Sequence, residues 1–207
     1  SGHFDYSVQT LLTGQSCTDV ALGDFDGDGD ADAFISCTNS APGMVWINNG
    51  SGIFSNSGQV LGTGNSYGVD VADLDNDGDN DAVCANWTVS SQVWLNDGDG
   101  NFTEGFVIEN NNYAKSVKLV DHDYDHLVDI FIGSYGSNGL QIWHNIGSGN
   151  FDLCYENDGE VYAQDLAVGD LNNDLMPDVY LGNFSSDDGD QVYLKASTVI
   201  LNENESL

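Results

Sequence analysis

Three short markers return in the same order along the chain, and no other feature limits its folding as strongly. The first is an acidic loop, reading DFDGDGDAD at 24–32, DLDNDGDND at 73–81, DHDYDHLVD at 121–129 and DLNNDLMPD at 170–178. The loops start at 24, 73, 121 and 170, which are 49, 48 and 49 residues apart. The second marker is an aromatic strand: VWIN at 45–48, VWLN at 93–96, IWHN at 142–145 and VYL at 192–194. The third is a Gly-x-Phe step at Gly2/Phe4, Gly52/Phe54, Gly100/Phe102 and Gly149/Phe151. A fixed period of this length means that one supersecondary unit is stacked against copies of itself.

Each unit divides into short apolar runs separated by turn residues. In the second unit YGVDVADL precedes the acidic loop, DAVCAN follows it, and QVWLN comes after a polar loop. Runs of this length between Gly, Asn, Ser and Asp clusters read as strands, and nothing reads as a long amphipathic helix. The predicted fold class is therefore all-β. Four strands per unit fit one blade of a β-propeller, giving one domain of four repeats at about 2–49, 50–98, 99–147 and 148–195. Each blade is either contiguous in sequence or borrows its outer strand from the next unit. The Gly-x-Phe turn follows VWLN directly, as a hairpin would, which favours borrowing and would let residues 4–12 complete the last blade.

Carboxylates at every second position repel one another unless something neutralises them. Calcium is a hard cation that takes six to eight oxygens. In D-x-D-x-D-G-x-x-D, side chains one, three, five and nine turn inward and position seven offers its carbonyl. The expected ligands are Asp24, Asp26, Asp28 and Asp32 in the first loop, and Asp73, Asp75, Asp77 and Asp81 in the second. They are Asp121, Asp123, Asp125 and Asp129 in the third, and Asp170, Asn172, Asp174 and Asp178 in the fourth. Asp30 and Asp79 add further carboxylates to the first two loops. Up to four Ca2+ ions are expected, one per repeat, each converting repulsion into folding energy. An EF-hand is excluded by the missing Glu at position twelve and by flanks that read as strands. Position six is Gly29 and Gly78 in the first two loops but His126 and Leu175 in the others, where a positive φ costs more.

The stretches GDFDGDGDADAFI, ADLDNDGDNDAV, VDHDYDHLVDIFI and GDLNNDLMPDVYL, each followed by the aromatic strand, resemble the FG-GAP/VCBS repeats of integrin-α-like propellers and of many secreted microbial proteins. The resemblance covers nearly the whole chain. It implies a propeller in which each loop is a calcium site joining two strands of a blade. Rings of that family usually have about seven blades. Four units imply a four-bladed ring, a half-ring that dimerises, or a fragment.

Lys and Arg number only 3 against 34 Asp and Glu, and the formal net charge is -31. Such a chain has no basic patch with which to displace the counterions of nucleic acid or to sit on an anionic membrane. No apolar run approaches the roughly 20 residues of a membrane span. No signal peptide is read at Ser1, so the expectation is a mature or trimmed chain. Without CxxC spacing among Cys17, Cys37, Cys84 and Cys154, a zinc site is not expected. Cys17 and Cys37 face each other across the first acidic hairpin, which allows a disulfide, while Cys84 and Cys154 read as buried thiols. Among the histidines, His122 and His126 read as exposed filler in the third loop.

Trp46, Trp94, Trp143 and Tyr193 hold one place in every repeat and alternate with apolar residues, so they read as core. Trp87 lies outside that series, and Tyr67, Tyr113, Tyr135 and Tyr162 fall at strand starts or in loops. These five are the candidate ligand contacts, on a rim that would suit a carbohydrate. No nucleophile elbow, phosphate loop or HExxH is present. The expected function is a secreted, calcium-binding module that recognises a glycan or another extracellular partner, as a monomer or as a homodimer completing a larger ring. The alternatives are a polysaccharide lyase or hydrolase and a purely structural module.

Overall fold

A computed structural model describes residues 9–195, apart from 40, 63–64, 110–112, 158 and 185–188. The described residues contain strands and turns and no helix. The first sheet consists of β1 (Ser16–Gly23), β2 (Asp32–Thr38), β3 (Met44–Asn48) and β4 (Phe54–Asn56), in that spatial order. The second repeats the arrangement with β5 (Ser66–Ala72), β6 (Asp81–Asn86), β7 (Ser91–Asn96) and β8 (Phe102–Ile108). The third has β9 (Ala114–Val120), β10 (Asp129–Gly136), β11 (Leu140–Gly147) and β12 (Asn150–Glu156). The fourth has β13 (Val161–Gly169), β14 (Asp178–Asn183) and β15 (Gln191–Tyr193). Every pairing is antiparallel, and the third and fourth sheets are joined where Tyr135 and Gly136 pair with Tyr162 and Val161.

The first two strands of each sheet form a hairpin that turns at the acidic loop, and in the first three sheets the Gly-x-Phe segment supplies the outermost strand. The sheets stand side by side through their first strands: β1 packs on β5, β5 on β9, and β9 on β13. Among the described residues no comparable packing returns from β13 to β1. The four sheets thus form an open arc. Residues 9–12 do not complete the last sheet. Gln9 pairs with both the N–H and the carbonyl of Phe54 in the first sheet, and Leu12 packs on that sheet's outer face. Residues 1–8 lie outside the described residues.

The second strand of each sheet is apolar at nearly every position because both of its faces are covered. In β6, Ala82 and Cys84 point into the core shared with the first sheet, and Val83 and Ala85 into the core shared with the third. A two-residue period on two apolar interfaces produces a continuous apolar run. Trp94 and Trp143 lie in these cores, while Trp46 and Tyr193 pack on the cores at the two ends of the arc. Fully burying a side chain such as Phe34 stabilises the fold by about 1.5–3 kcal/mol.

Cys17 and Cys37 occupy opposed register positions and are joined as a disulfide. Cys84 is buried, as expected, but Cys154 is exposed. It sits on the outermost strand β12, where every residue after Phe151 faces solvent.

Candidate functional site

The four acidic loops share one backbone design. The first carboxylate accepts two N–H groups: Asp24 from Gly27 (2.9 Å) and Gly29 (3.0 Å), Asp73 from Asn76 (2.7 Å) and Gly78 (3.0 Å). Asp121 does the same with Tyr124 and His126, and Asp170 with Asn173 and Leu175. Positions three and five each accept an N–H two residues on, as Asp26 does from Asp28 and Asp28 from Asp30. The fourth and sixth residues adopt positive φ throughout, including His126 (φ 72) and Leu175 (φ 68), where glycine is missing.

The ninth-position carboxylate closes each loop on the sheet. Asp32 is fully buried and accepts the N–H of Phe25 at 2.9 Å and of Asn48 at 2.7 Å. Asp81 holds Leu74 and Asn96, Asp129 holds His122 and Asn145, and Asp178 holds Leu171 and Lys195 in the same way. Each therefore ties the loop's second residue to the end of the third strand. Burial pushes the Asp81 carboxyl up to about 6 despite these two bonds.

Oxygens of Asp24, Asp26 and Asp32 lie within 4.8 Å of one another, as do those of Asp73, Asp75 and Asp81. Asp121, Asp123 and Asp125 form the third such group, and Asp170, Asp174 and Asp178 the fourth. These are hard-oxygen sets suited to calcium. Asp30 and Asp79 instead lie against Gly50 and Gly98 of the next turn, so close that a Cβ there would meet the carboxylates. Asp28 and Asp77 bond the N–H groups of Asp30 and Asp79, and the Asn172 amide reaches Asp174 at 3.2 Å.

At the opposite end of the sheets the five aromatic candidates meet. Tyr67 begins β5 and Trp87 follows β6, so both lie at the end remote from the acidic loop. Ring centroids are 5.3 Å apart for Tyr67–Trp87, 5.0 Å for Trp87–Tyr113, 5.7 Å for Trp87–Tyr135 and 4.7 Å for Tyr135–Tyr162. A backbone ladder aligns them: Trp87 donates to Asn65, Tyr113 to Trp87, and Tyr135 to Tyr113, each at 2.9 Å. Lys115 Nζ sits 4.5 Å above the Tyr67 ring and 4.9 Å above Trp87, and donates to Gln164. Tyr162 reaches Glu160, and Asn39, Asn65 and Thr88 continue the edge toward the first sheet.

His122 and His144 were missed as functional candidates. His122 is not exposed filler: its side chain is 16% accessible and its Nδ1 lies 2.5 Å from Asp129. Hydrogen bonding to Asp129, and then to the Cys154 thiol, raises the His122 pKa to about 9. Burial works against the charge on Asp129, but the His122 ring and the N–H groups of His122 and Asn145 hold its carboxyl below the usual range. Lining up the repeats would have flagged both histidines, because the other repeats carry Phe25, Leu74 and Leu171, or Ile47, Leu95 and Leu194, at those positions.

A sequence model of the FG-GAP-like repeat matches residues 24–84 and 73–132, together more than half of the 207 residues. An Agrocybe aegerita lectin, solved for its specific recognition of non-reducing terminal N-acetylglucosamine, superposes with a TM-score of 0.54 at 22% identity, over 78% of this chain and 45% of the lectin's. A chain in the crystal structure of BBS1N in complex with ARL6DN, soaked with lead, superposes with a TM-score of 0.58 at 10% identity, over 83% of this chain and 52% of its own. The chain thus spans about half the length of these structural relatives. No curated protein matches it. At such identities the likeness concerns the fold, which is a propeller-like, all-β repeat fold.

Proposed function

The chain belongs to the FG-GAP-like repeat family, and from that premise we propose that it is a calcium-stabilised binding module of the propeller type. Its four sheets act as four blades, each with one acidic loop that takes a calcium ion on one face of the arc. The opposite face takes the ligand, a glycan of an extracellular surface. The observation that carries this reading is the meeting of Tyr67, Trp87, Tyr113, Tyr135 and Tyr162 in one row. Isolated surface aromatics have no common purpose, but rings gathered from three repeats form an apolar patch, beside the Lys115 ammonium, on which the C–H faces of sugar rings could pack. Lys115, Glu160, Gln164 and the Asn39–Asn65–Thr88 edge supply the polar contacts that would orient hydroxyl groups.

The module binds rather than catalyses. The carboxylates of its acidic loops are engaged by loop N–H groups, and its three basic side chains are too few for electrophilic catalysis. The Cys17–Cys37 disulfide favours an oxidising, extracellular setting. The open arc, about half the length of its structural relatives, is completed either by a second copy or by further blades.

A polysaccharide panel with calcium, scoring retention and chain cleavage together, tests the reading. Retention without cleavage, weakened at least about tenfold by Trp87→Ala while melting stays unchanged, is the expected result. Equal retention by the folded variant would move the ligand elsewhere, and released product would make the protein an enzyme.

A further inference from the structure

We propose that the third repeat carries a binding site for a zinc-class divalent cation, built by His122, His144, Asp129 and Asp123. The inference stands apart from the glycan reading and goes beyond the calcium loops.

One ligand atom from each of these four residues lies within 4.8 Å of the other three. His122 Nδ1 is 2.5 Å from Asp129 Oδ2, His144 Nδ1 is 3.1 Å from Asp129 Oδ1, and His144 Nδ1 is 3.5 Å from Asp123 Oδ2. A tetrahedral zinc ion bound at about 2.0–2.1 Å needs its donors roughly 3.3 Å apart. Three of the spacings, two of them through different oxygens of Asp129, fall at 2.5–3.5 Å around that figure, and the whole set lies within 4.8 Å, so the side chains need to close around the ion. Two nitrogens and two carboxylates form a donor set that suits zinc and its neighbours, whereas calcium takes oxygen.

The repeat pattern supplies a second, independent argument. His122 stands where Phe25, Leu74 and Leu171 stand, and His144 where Ile47, Leu95 and Leu194 stand. Phe25 and Leu74 are buried, with Ile47 and Leu95 packed on the same cores, so between two sheets the position favours an apolar pair, whereas Leu171 and Leu194 at the end of the arc are exposed. Only the third repeat exchanges both members of the pair, and both new rings converge on one carboxylate. A single exchange would be drift within the repeat. A paired exchange that gives up two apolar contacts and creates a mixed nitrogen and oxygen set has the form of a ligand site. His122 also lines a cavity of about 530 Å³ beside Phe131, Cys154 and Lys195. Asp123 and Asp129 both belong to the third acidic loop as well, so a calcium ion there competes for them.

The test uses chelator-stripped protein with calcium returned to saturation. Zn2+ is titrated by calorimetry, and Co2+ by its visible absorption. Wild type should take one Zn2+ per chain and give with Co2+ the intense blue-green spectrum of four-coordination. His122→Leu and His144→Leu should each weaken Zn2+ at least about tenfold. Both variants reproduce residues found in the other repeats, so the fold accommodates them. Wild type that takes no zinc either with calcium or without it, or histidine variants that bind it equally, would overturn the site. Should a variant fail to fold, the wild-type Co2+ spectrum decides alone: a weak pink six-coordinate spectrum overturns the proposal.

Discussion

The side-chain amide of Asn145 donates to the carbonyl of Leu74 across 2.8 Å, and the two residues belong to neighbouring repeats. Asn96 makes the same bond to Phe25 at 2.9 Å. In the fourth repeat Lys195 takes the place of the Asn, and its Nζ reaches the carbonyl of His122. The last residue of each aromatic strand thus clasps the acidic loop of the preceding sheet. Asn48, in the first sheet, donates to Ala31 of its own sheet instead. Asn145→Ala should therefore destabilise the fold by about 1–3 kcal/mol, since it leaves a buried carbonyl without its donor. Asn48→Ala, at an exposed bond, should cost well under half as much. Urea melts in calcium measure both, and equal losses would refute the clasp.

Leu175 holds a φ of 68 and is 78% exposed, so its side chain contributes little packing. A left-handed residue with a Cβ costs roughly 1–2 kcal/mol, and glycine removes that cost. Leu175→Gly should raise stability by about 1 kcal/mol, net of the entropy glycine brings to the unfolded chain. The acidic loop stays as it is, because the bond to Asp170 comes from the backbone N–H of residue 175. A lowered urea midpoint would mean that the leucine packs on something.

The period was legible because each sheet needs the same hydrogen bonds in the same places, so its loop residues recur in register. The Trp46, Trp94 and Trp143 positions were legible for the same reason. The role of the ninth carboxylate was not. Spacing shows that Asp32 exists, but not that its two oxygens are turned onto the N–H groups of Phe25 and Asn48. The aromatic row was legible in part: Trp87 and Tyr135 share one phase of the repeat and Tyr113 and Tyr162 another, but that the two phases meet follows only from the stacking of sheets. His122 was misread because it was judged by its acidic neighbours in sequence. Its meaning lies in the contrast with Phe25 and Leu74 and in His144, which approaches from another strand.

His122 gives the metal-free protein a pH dependence. Its folded pKa of about 9 exceeds the ordinary 6.5, so the protonated ring is bound more favourably in the folded state. The contribution is complete below about pH 6.5 and is lost as pH rises through about 9. Its size is on the order of 2 kcal/mol, for a side chain that is 16% accessible. In EDTA, the wild-type melting temperature should fall between pH 6.5 and 9.5 more steeply than that of His122→Leu. Parallel curves would show that the pair contributes nothing to folding.

Calcium removal is the broadest test of the loops. Each gathers three carboxylates with oxygens within 4.8 Å, on a chain of net charge -31, so the empty loops repel internally. A site filled at a hundredfold excess over its Kd adds about 2.7 kcal/mol. In a chain of this size each kcal/mol moves the melting temperature by about 2–4 °C. Two filled sites should therefore raise it by roughly 10–20 °C, and EDTA should remove that gain. Calcium must restore the gain at micromolar to millimolar concentration, where sodium chloride at the same ionic strength does not. Sodium alone restoring it would mean that the loops need only screening. Asp73→Asn should abolish the contribution of one loop and leave the other three. An unchanged melt in EDTA at low salt would remove the calcium assignment altogether.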